Sequence, residues 1–323
     1  MTGATGSFGQ AFIKTILETA EPRRVVVFSR DELKQFDMRN EFDEFEKLGR
    51  LRFFIGDVRD GERLDMAFRE IDYVVHAAAL KQVTTAEYNP FECINTNVLG
   101  AENVARAAIR NGVKSVIALS TDKAANPINL YGASKLASDK IFIAANNLSG
   151  SVGTRFSVVR YGNVIGSRGS VVPFFQKMIR EGADCLPITH EDMTRFWITL
   201  QQGVNLVLSS FASMQGGEIF VPKVPSMKVV DLANALAPNL PHKVIGIRPG
   251  EKLHEILVTS DDARNTMEFE DYYVIEPAFA FWSRDLERNT TMRAVPQGFS
   301  YASDSNNEWL DAEGLTNLLS ETS

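Results

Sequence analysis

Short apolar runs alternate with amphipathic segments along the first half of the chain. The runs are rich in Val, Ile and Phe and lie at residues 23–29, 51–57, 72–78, 115–121 and 156–162. Apolar runs of this length, without polar alternation, are typical of strands buried on both faces. The segments between them have helical character. The order βαβαβ therefore predicts a doubly wound parallel sheet that binds ligands at the carboxyl ends of its strands.

The alternation stops after Gly162. Residues 171–182, 193–200 and 246–257 predict a smaller, mixed domain. We expect the apolar helix around residues 203–211 and the strand at 217–222 to return to the first sheet. The final stretch, with SDSNNEWLDAEGL, predicts a polar connecting segment that ends in a short helix. The predicted domains are a cofactor domain, residues 1–165 with 199–222, and a substrate domain, residues 166–323.

Composition narrows the class of protein. With 323 residues, 44% of them hydrophobic, the chain can build a full core. A net charge of -7 argues against a nucleic-acid binder, since no basic excess is present to neutralise phosphates. Cys93 and Cys185 are too few for a disulfide framework, and the four histidines lack metal-ligand spacing. No apolar run approaches ~18 residues and the start lacks signal-peptide features. We expect a cytoplasmic protein without a metal or a membrane span.

The chain opens on MTGATGSFGQ, a glycine-rich turn that leads into a helix. Glycines at this spacing let backbone amides approach a pyrophosphate and let the helix pack closely on the sheet. A strand with a polar tip follows, as in dinucleotide-binding folds. The cofactor-binding residues predicted from the turn are Gly3, Thr5, Gly6, Ser7, Phe8 and Gly9.

The tip of the next strand selects the cofactor. Dinucleotide sites place a carboxylate there for the ribose hydroxyl of NAD, or an arginine for the 2′-phosphate of NADP. This chain has Ser29, Arg30 and Lys34, which favours NADP. The alternative interpretation is a solvated helix start, with Asp31 and Glu32 favouring the helix N-terminus. Further predicted cofactor-binding residues are Asp57, Val58, Ala77, Lys81 and Thr96.

The glycine turn has no apolar strand before it in this sequence. Such a strand is central in a doubly wound sheet. Omitting ~5 buried apolar residues would forfeit ~8–15 kcal/mol, comparable to the stability of a domain. We therefore expect a native chain that is longer by roughly one strand of ~5–6 residues. We also expect the 323-residue chain to fold marginally and to bind NADP poorly.

The stretch STDKAANPINLYGASK, residues 120–135, carries the richest chemical pattern. Tyr131 and Lys135 are four residues apart and share one face of a helix. The ammonium of Lys135 and a positive nicotinamide favour the phenolate, and lowering the pKa of Tyr131 by ~3 units would make it a useful base. Tyr131 and Lys135 are therefore predicted to be both catalytic and cofactor-binding.

These motifs, together with HAAALK, VVRYGNVIGSRGSVVPFF and GIRPGEKLHE, resemble those of extended short-chain dehydrogenases/reductases that act on nucleotide sugars. More narrowly, the chain resembles the inverting UDP-N-acetylglucosamine 4,6-dehydratases of pseudaminic acid biosynthesis. The resemblance implies a Rossmann-type α/β fold and a UDP-N-acetylglucosamine substrate. It implies oxidation at C4, loss of water from C6, hydride return to C6 and inversion at C5, with NADP recycled. It also implies a homo-oligomer, with a hexamer as one form.

The resemblance assigns roles to the remaining site residues. Lys123 would take the C5 proton as a neutral amine, whereas Asp122 would be protonated and would give its proton to the departing C6 hydroxyl. Thr121 would hydrogen-bond the 4-hydroxyl, and Asn97 matches a helix asparagine whose alternative role is capping or packing. The predicted substrate-binding residues are Lys81, Asn163, Val164, Arg195, Arg248 and Glu251, with Arg248 just ahead of a helix that starts at Pro249-Gly250. The chain departs from the family at residues 82–84, where Gln-Val-Thr replaces His-Val-Pro.

Two alternatives remain open from the residues alone. A UDP-sugar 4-epimerase shares the glycine turn, Tyr131 and Lys135, but it has no need of an acid and a base at C5 and C6. A non-catalytic NADP-binding protein of the same fold could dispense with Tyr131, Lys135 and Lys123, all of which are present. The pair Asp122-Lys123 favours the dehydratase.

Overall fold

The computed structural model describes residues 1–167, 169–284 and 292–320. Its helices are α1 Ser7–Thr19, α2 Glu32–Glu41, α3 Asp43–Lys47, α4 Gly61–Ala67, α5 Val83–Tyr88, α6 Pro90–Ile94, α7 Gly100–Arg110, α8 Leu130–Leu148, α9 Val171–Arg180, α10 Leu200–Ser213, α11 Val229–Leu236 and α12 Ala312–Ser320. A π-helical turn, Asn95–Leu99, joins α6 to α7, and 3-10 turns lie at Asp122–Ala124, Gly150–Val152 and Asp262–Asn265.

The strands of the first half are β1 Val25–Ser29, β2 Leu51–Ile55, β3 Tyr73–His76, β4 Ser115–Thr121, β5 Arg155–Tyr161 and β6 Asn163–Val164. Those of the second half are β7 Leu186–Ile188, β8 Thr194–Ile198, β9 Ile219–Pro222, β10 Ser226–Lys228, β11 His242–Val244, β12 Ile256–Val258, β13 Thr266–Glu268, β14 Tyr272–Ile275, β15 Arg293–Ala294 and β16 Tyr301–Ala302. The five apolar runs predicted as strands are confirmed as β1–β5.

The parallel strands form the predicted doubly wound sheet. β1 pairs with β2, whereas β3, β4, β5 and β9 pair in that order, all in parallel. Thr2 lies between the two groups and forms parallel bridges to Phe28 and His76. The backbone nitrogen of Met1 also donates to the carbonyl of Val26 at 2.7 Å. With Thr2 at this central position, the strands follow the order of a Rossmann-type dinucleotide-binding sheet.

Buried apolar side chains fill both faces of the sheet. On one face, Ile13 and Leu17 of α1 and Met38 of α2 pack on β1 and β2. The other main cluster includes Phe142 of α8 and Phe156 of β5, whose rings lie 6.2 Å apart. Helices therefore cover the sheet, which leaves the carboxyl ends of the parallel strands as the place for ligands.

The sheet takes more of the chain than the predicted domain ranges allow. Antiparallel strands β14, β13 and β15 extend it beyond β9, although they lie in the segment predicted as the substrate domain. Most of the remaining segment forms the small sheets β10-β8-β6 and β11-β7 around a core that contains Phe175, Trp197 and Leu232, although β6 comes from the predicted cofactor domain. Strands of two to four residues give too little apolar periodicity for their sheet to be assigned from sequence.

The helix expected after Pro249-Gly250 is absent, and that prediction is wrong: residues 246–255 run as turns and extended chain. Side chains from elsewhere take carbonyls that a helix would use internally. Asn129 donates to the carbonyl of Gly250 at 2.7 Å, and Arg195 donates to the carbonyl of Lys252 at 3.0 Å. The short helix at the end of the chain is confirmed as α12.

Two features are absent from the part of the chain that the structure describes. There, no helix combines the length and the apolar character needed to cross a bilayer. Across residues 1–167, 169–284 and 292–320, no cluster of His, Cys, Asp and Glu side chains is arranged to hold a metal ion.

Candidate active site

A cavity of about 620 Å³ opens at the carboxyl ends of β1, β3, β4 and β5. Every residue that the sequence analysis assigns to the cofactor lines it, from Gly3 in the glycine turn to Lys135 in α8. Four of the five residues predicted as catalytic line it too: Thr121, Lys123, Tyr131 and Lys135. The fifth, Asp122, lies buried directly behind its wall. The sequence motifs therefore converge on one site.

The glycine turn has the geometry of a phosphate cradle. Gly3 adopts φ +67°, and a Cβ on it would lie 2.6 Å from the backbone nitrogen of Ala78. A Cβ on Gly9 would lie 2.2 Å from the carbonyl oxygen of Ala4. The N-terminus of α1 has no side-chain cap, so its first amides face the cavity without an intrahelical partner. These residues fit the pyrophosphate of a dinucleotide.

The tip of β1 carries cations that have carboxylate partners within the chain. Arg30 Nη1 lies 3.4 Å from Asp57 Oδ2, and Lys34 Nζ lies 2.7 Å from Asp31 Oδ2. The hydroxyl of Ser29 accepts a hydrogen bond from the Gln35 side chain. Partial burial raises the pKa of Asp57, but hydrogen bonds from Arg59 and the charge of Arg30 outweigh it and lower the pKa. Arg30 remains half exposed, with its guanidinium at the cavity mouth.

The turn after β4 brings an amine and two carboxylates together. Lys123 Nζ donates to Asp122 Oδ1 at 3.0 Å and lies 3.2 Å from Glu255 Oε1. The hydroxyl of Thr121 donates to the same Asp122 oxygen at 2.8 Å. Asp122 Oδ2 is buried without a hydrogen-bond partner among the described residues. The pair expected to act at C5 and C6 is thus one hydrogen-bonded unit.

The neutral amine expected at Lys123 in the catalytic step stays a prediction, whereas the chain on its own favours the ammonium. Burial of the side chain lowers the pKa of Lys123, but the charges of Asp122 and Glu255 outweigh that penalty, and the pKa is raised. Lys123 therefore rests as an ammonium. Glu255 comes from a distant part of the chain, so the local sequence around Lys123 does not reveal its charge.

The phenolate of Tyr131 expected beside a bound nicotinamide stays a prediction, and the chain's own groups do not favour it. Burial raises the pKa of Tyr131 to about 12, although the charge of Lys123 and a hydrogen bond with Thr121 act in the opposite direction. Burial likewise lowers the pKa of Lys135, against the charge of Asp139. Within the chain, the electrostatic support for a phenolate therefore comes from Lys123, whereas the contribution expected from Lys135 stays a prediction.

Local packing explains why these side chains converge. Asn129 caps α8, because its Oδ1 accepts a hydrogen bond from the backbone nitrogen of Gly132 at 2.7 Å. Asn97, in the π-helical turn, donates to the Leu80 carbonyl at 2.9 Å and to the Ser134 hydroxyl at 2.9 Å. It thereby ties the loop over residues 77–82 to α8, so its role in the structure is packing and positioning.

The predicted substrate-binding residues divide into two groups. Lys81, Asn163 and Val164 line the cavity, whereas Arg195, Arg248 and Glu251 do not. Arg195 is buried, and its guanidinium donates to the carbonyls of residues 194, 252 and 253. These hydrogen bonds tie β8 to the 252–255 segment, and the predicted contact of Arg195 with substrate stays a prediction. Arg248 and Glu251 lie in the turn directly before residues 252–255. The backbone nitrogen of Arg248 is 3.4 Å from Glu251 Oε2.

The sheet order, the glycine cradle and the Tyr131–Lys135 pair beside the Asp122–Lys123 unit define an extended short-chain dehydrogenase/reductase-like protein. Comparison with known proteins makes this assignment narrower. Residues 1–277 match the family described as "Polysaccharide biosynthesis protein", and the chain belongs to that family.

Individual relatives carry two different names. The inverting UDP-N-acetylglucosamine 4,6-dehydratase of Campylobacter jejuni subsp. jejuni serotype O:2 is 57% identical over 327 aligned residues, covering 100% of this chain and 97% of the relative. The UDP-glucose 4-epimerase of Rickettsia canadensis is 46% identical over 282 residues, covering 85% and 81%. Among solved structures, Pen from Bacillus thuringiensis matches with a TM-score of 0.90 at 36% identity, covering 99% and 96%.

Proposed function

We propose that this protein is a UDP-N-acetylglucosamine 4,6-dehydratase, a hydro-lyase that inverts C5. The observation that carries the proposal is the hydrogen bond of 3.0 Å between Lys123 Nζ and Asp122 Oδ1. Lys123 lines the cavity together with Tyr131, and Asp122 lies directly behind the wall. An amine and a carboxyl group in contact can serve as the base and the acid of an elimination. The name of the Campylobacter relative, which is 57% identical over the whole chain, supports the same reaction.

We propose NADP as the cofactor. The cradle of Gly3 and Gly9 and the N-terminus of α1 would hold the pyrophosphate, and Arg30 would face the 2′-phosphate. Asp57 and Val58 would border the adenine. When bound, a nicotinamide dinucleotide supplies hydride acceptance and return, which allows the reaction to proceed without net redox change.

The chain's own residues would carry the protons of the first step. Tyr131 would take the proton of the sugar 4-hydroxyl, with Thr121 holding the hydroxyl in line. Because burial raises the pKa of Tyr131, the phenol needs nearby positive charge to act as a base, which Lys123 provides and to which Lys135 would add. Lys135 is buried, so its charge is poorly screened.

The elimination needs a neutral amine and a protonated carboxyl group at the same moment. Moving one proton from Lys123 Nζ to Asp122 Oδ1, along the existing hydrogen bond, makes both. Lys123 would then take the proton from C5, and Asp122 would give its proton to the hydroxyl leaving C6, which departs as water. Afterwards Lys123 is again an ammonium and Asp122 again a carboxylate.

Proton NMR of UDP-N-acetylglucosamine incubated with the protein in D2O tests the proposal. We expect a 4-keto-6-deoxy sugar with inverted C5 and deuterium at C5, formed without net consumption of NADPH. A product with the original C5 configuration, or one that still carries its C6 hydroxyl, would contradict it.

A UDP-sugar 4-epimerase is the second candidate, supported by the Rickettsia relative at 46% identity. An epimerase leaves C5 and C6 untouched, so the Asp122–Lys123 unit would have no chemical task. The same NMR experiment separates the two, because UDP-N-acetylgalactosamine as the main product would favour the epimerase.

The remaining proposals concern the substrate contacts, the cellular compartment and the oligomeric state. Lys81, Asn163 and Val164 would border the sugar, and Arg248 and Glu251 would reach the UDP moiety from the adjoining turn. The free thiols of Cys93 and Cys185 support a reducing compartment, and we propose a cytoplasmic homo-oligomer.

A further inference from the structure

Glu255 lies at the centre of a buried cluster of charges behind the turn Asp122–Ala124, which is called the catalytic turn below. Its side chain is 2% exposed, with Oε1 3.2 Å from Lys123 Nζ and 3.8 Å from Arg195 Nε. Its other oxygen, Oε2, has no hydrogen-bond partner among the described residues and lies 3.9 Å from Lys252 Nζ. The carboxylate thus meets cations from the catalytic turn, from β8 and from its own segment.

The backbone around Glu255 is fixed, so the carboxylate has a defined position. The amide of Glu255 donates to the Ser303 hydroxyl at 2.9 Å, and the amide of Ser303 donates back to the Glu255 carbonyl at 2.8 Å. The ammonium of Lys252 also donates to the carbonyl of Ala125, one residue beyond the catalytic turn. The segment and the turn are therefore tied together on both sides of the Lys123–Glu255 contact.

We propose that Glu255 is a positioning residue for Lys123: its carboxylate holds the amine at the cavity wall and sets the pH range in which that amine accepts a proton. The inference rests on the proposed dehydratase function. It also explains how a buried carboxylate is tolerated through the reaction. When Lys123 passes its proton to Asp122, Glu255 is still faced by Arg195 and Lys252.

The direction of the pH effect follows from the charges around the amine. Burial lowers the pKa of Lys123, Asp122 and Glu255 raise it, and Arg195 lowers it. The charged groups that face Glu255 are Asp122, Lys123, Arg195 and Lys252. Removing the negative charge of Glu255 therefore lowers the pKa of Lys123. A partner charge at this distance is worth roughly one pH unit or more.

The experiment measures two partial reactions as a function of pH. One is deuterium uptake at C5 of UDP-N-acetylglucosamine in D2O, which depends on Lys123. The other is the transient absorbance of reduced nicotinamide, which reports C4 oxidation by Tyr131. The variants are Glu255→Gln, which keeps the shape, and Glu255→Asp, which keeps the charge. Glu218→Gln is the control, because Glu218 is also buried and paired, with Ser157 and Arg284, outside the cavity.

We expect the pH at which C5 exchange rises to be lower by roughly one unit or more in Glu255→Gln than in the wild type. C4 oxidation should be retained. Glu255→Asp should lower that pH less, and Glu218→Gln should not change it. An unshifted rise in Glu255→Gln, or an equal loss of both partial reactions, would overturn the inference. Wild-type protein that oxidises C4 without exchanging C5 would instead overturn the proposed function.

Discussion

The backbone of Gly132 lies against the carbonyl of Lys123, so closely that a Cβ on Gly132 would sit 2.2 Å from that oxygen. The first turn of α8 and the catalytic turn are therefore in backbone contact. Neither can move without displacing the other. The glycine in the sequence YGASK is required by this approach, and its dihedral angles are ordinary for a helix.

Gly132→Ala should therefore damage the site more than the fold. Overpacking against backbone costs about 1–3 kcal/mol, partly offset by the better helix propensity of alanine, about 1 kcal/mol. Displacement of Lys123 should lower turnover about tenfold or more. Turnover and melting temperature are measured together. Gly61→Ala is the control, since its Cβ would meet nothing closer than 3.6 Å, and equal turnover in the two variants would contradict the prediction.

Tyr131 and Lys123 should fail at different steps. Tyr131→Phe should abolish the transient nicotinamide absorbance, because the proton of the 4-hydroxyl loses its acceptor. Lys123→Met should lose deuterium uptake at C5 by about 100-fold or more, the usual effect of removing a general base, and should weaken that absorbance only in part, through the lost charge beside Tyr131. Stopped-flow absorbance and NMR check the split. Near wild-type turnover in Lys123→Met would show that another group takes the C5 proton.

Arg30 should distinguish NADP from NAD. A charge-assisted hydrogen bond is worth about 1.5–3 kcal/mol, so Arg30→Ala should weaken NADP binding roughly tenfold or more and NAD binding much less. Losing Arg30 also leaves Asp57 with less positive charge beside it, which adds repulsion toward a 2′-phosphate. Titration calorimetry with both dinucleotides measures this. Arg23→Ala, just ahead of the opposite end of β1, is the control, and equal weakening of both cofactors would remove Arg30 from this role.

Local patterns were enough to predict the sheet and the cavity. Strands β1–β5 follow from apolar runs, and the residues at their carboxyl ends meet because parallel strands end at one edge. Protonation could not be predicted in this way. The state of Lys123 depends on burial and on Glu255, which only tertiary folding brings to the catalytic turn, and the state of Tyr131 depends chiefly on its burial.

The same reason explains the wrong prediction of a helix after Pro249-Gly250, which treats the motif as an isolated segment. It also explains why the hydrogen bonds of Arg195 could not be predicted. In the folded chain Arg195 donates to carbonyls of the 252–255 segment, and Asn129 takes the carbonyl of Gly250. The motif GIRPGEKLHE contains Glu255, but the sequence does not show that its carboxylate contacts Lys123.

His76 should make the fold sensitive to mild acid. The ring is buried, with Nδ1 2.8 Å from the Thr2 hydroxyl and Nε2 without a hydrogen-bond partner among the described residues. Burial, followed by repulsion from Lys135, lowers the pKa of His76 to about 3. The unfolded chain takes up a proton below about pH 6.5 and the folded chain does not, so stability is present above that pH and falls as the pH drops toward 3. Between pH 7 and pH 5 the loss should be about 2 kcal/mol.

Urea unfolding of the wild type, His76→Phe and His190→Gln at pH 7 and pH 5 measures this loss. His76→Phe sacrifices the bond to Thr2 and is expected to be less stable at pH 7, but its stability should change less between the two pH values than that of the wild type. His190→Gln, at a partly exposed histidine, should keep the wild-type dependence. If His76→Phe lost as much stability on acidification as the wild type, the proton uptake would belong to another group. His76 would then be charged or solvated in the folded chain, contrary to its burial between Thr2 and the ring of Phe142, 5.4 Å away.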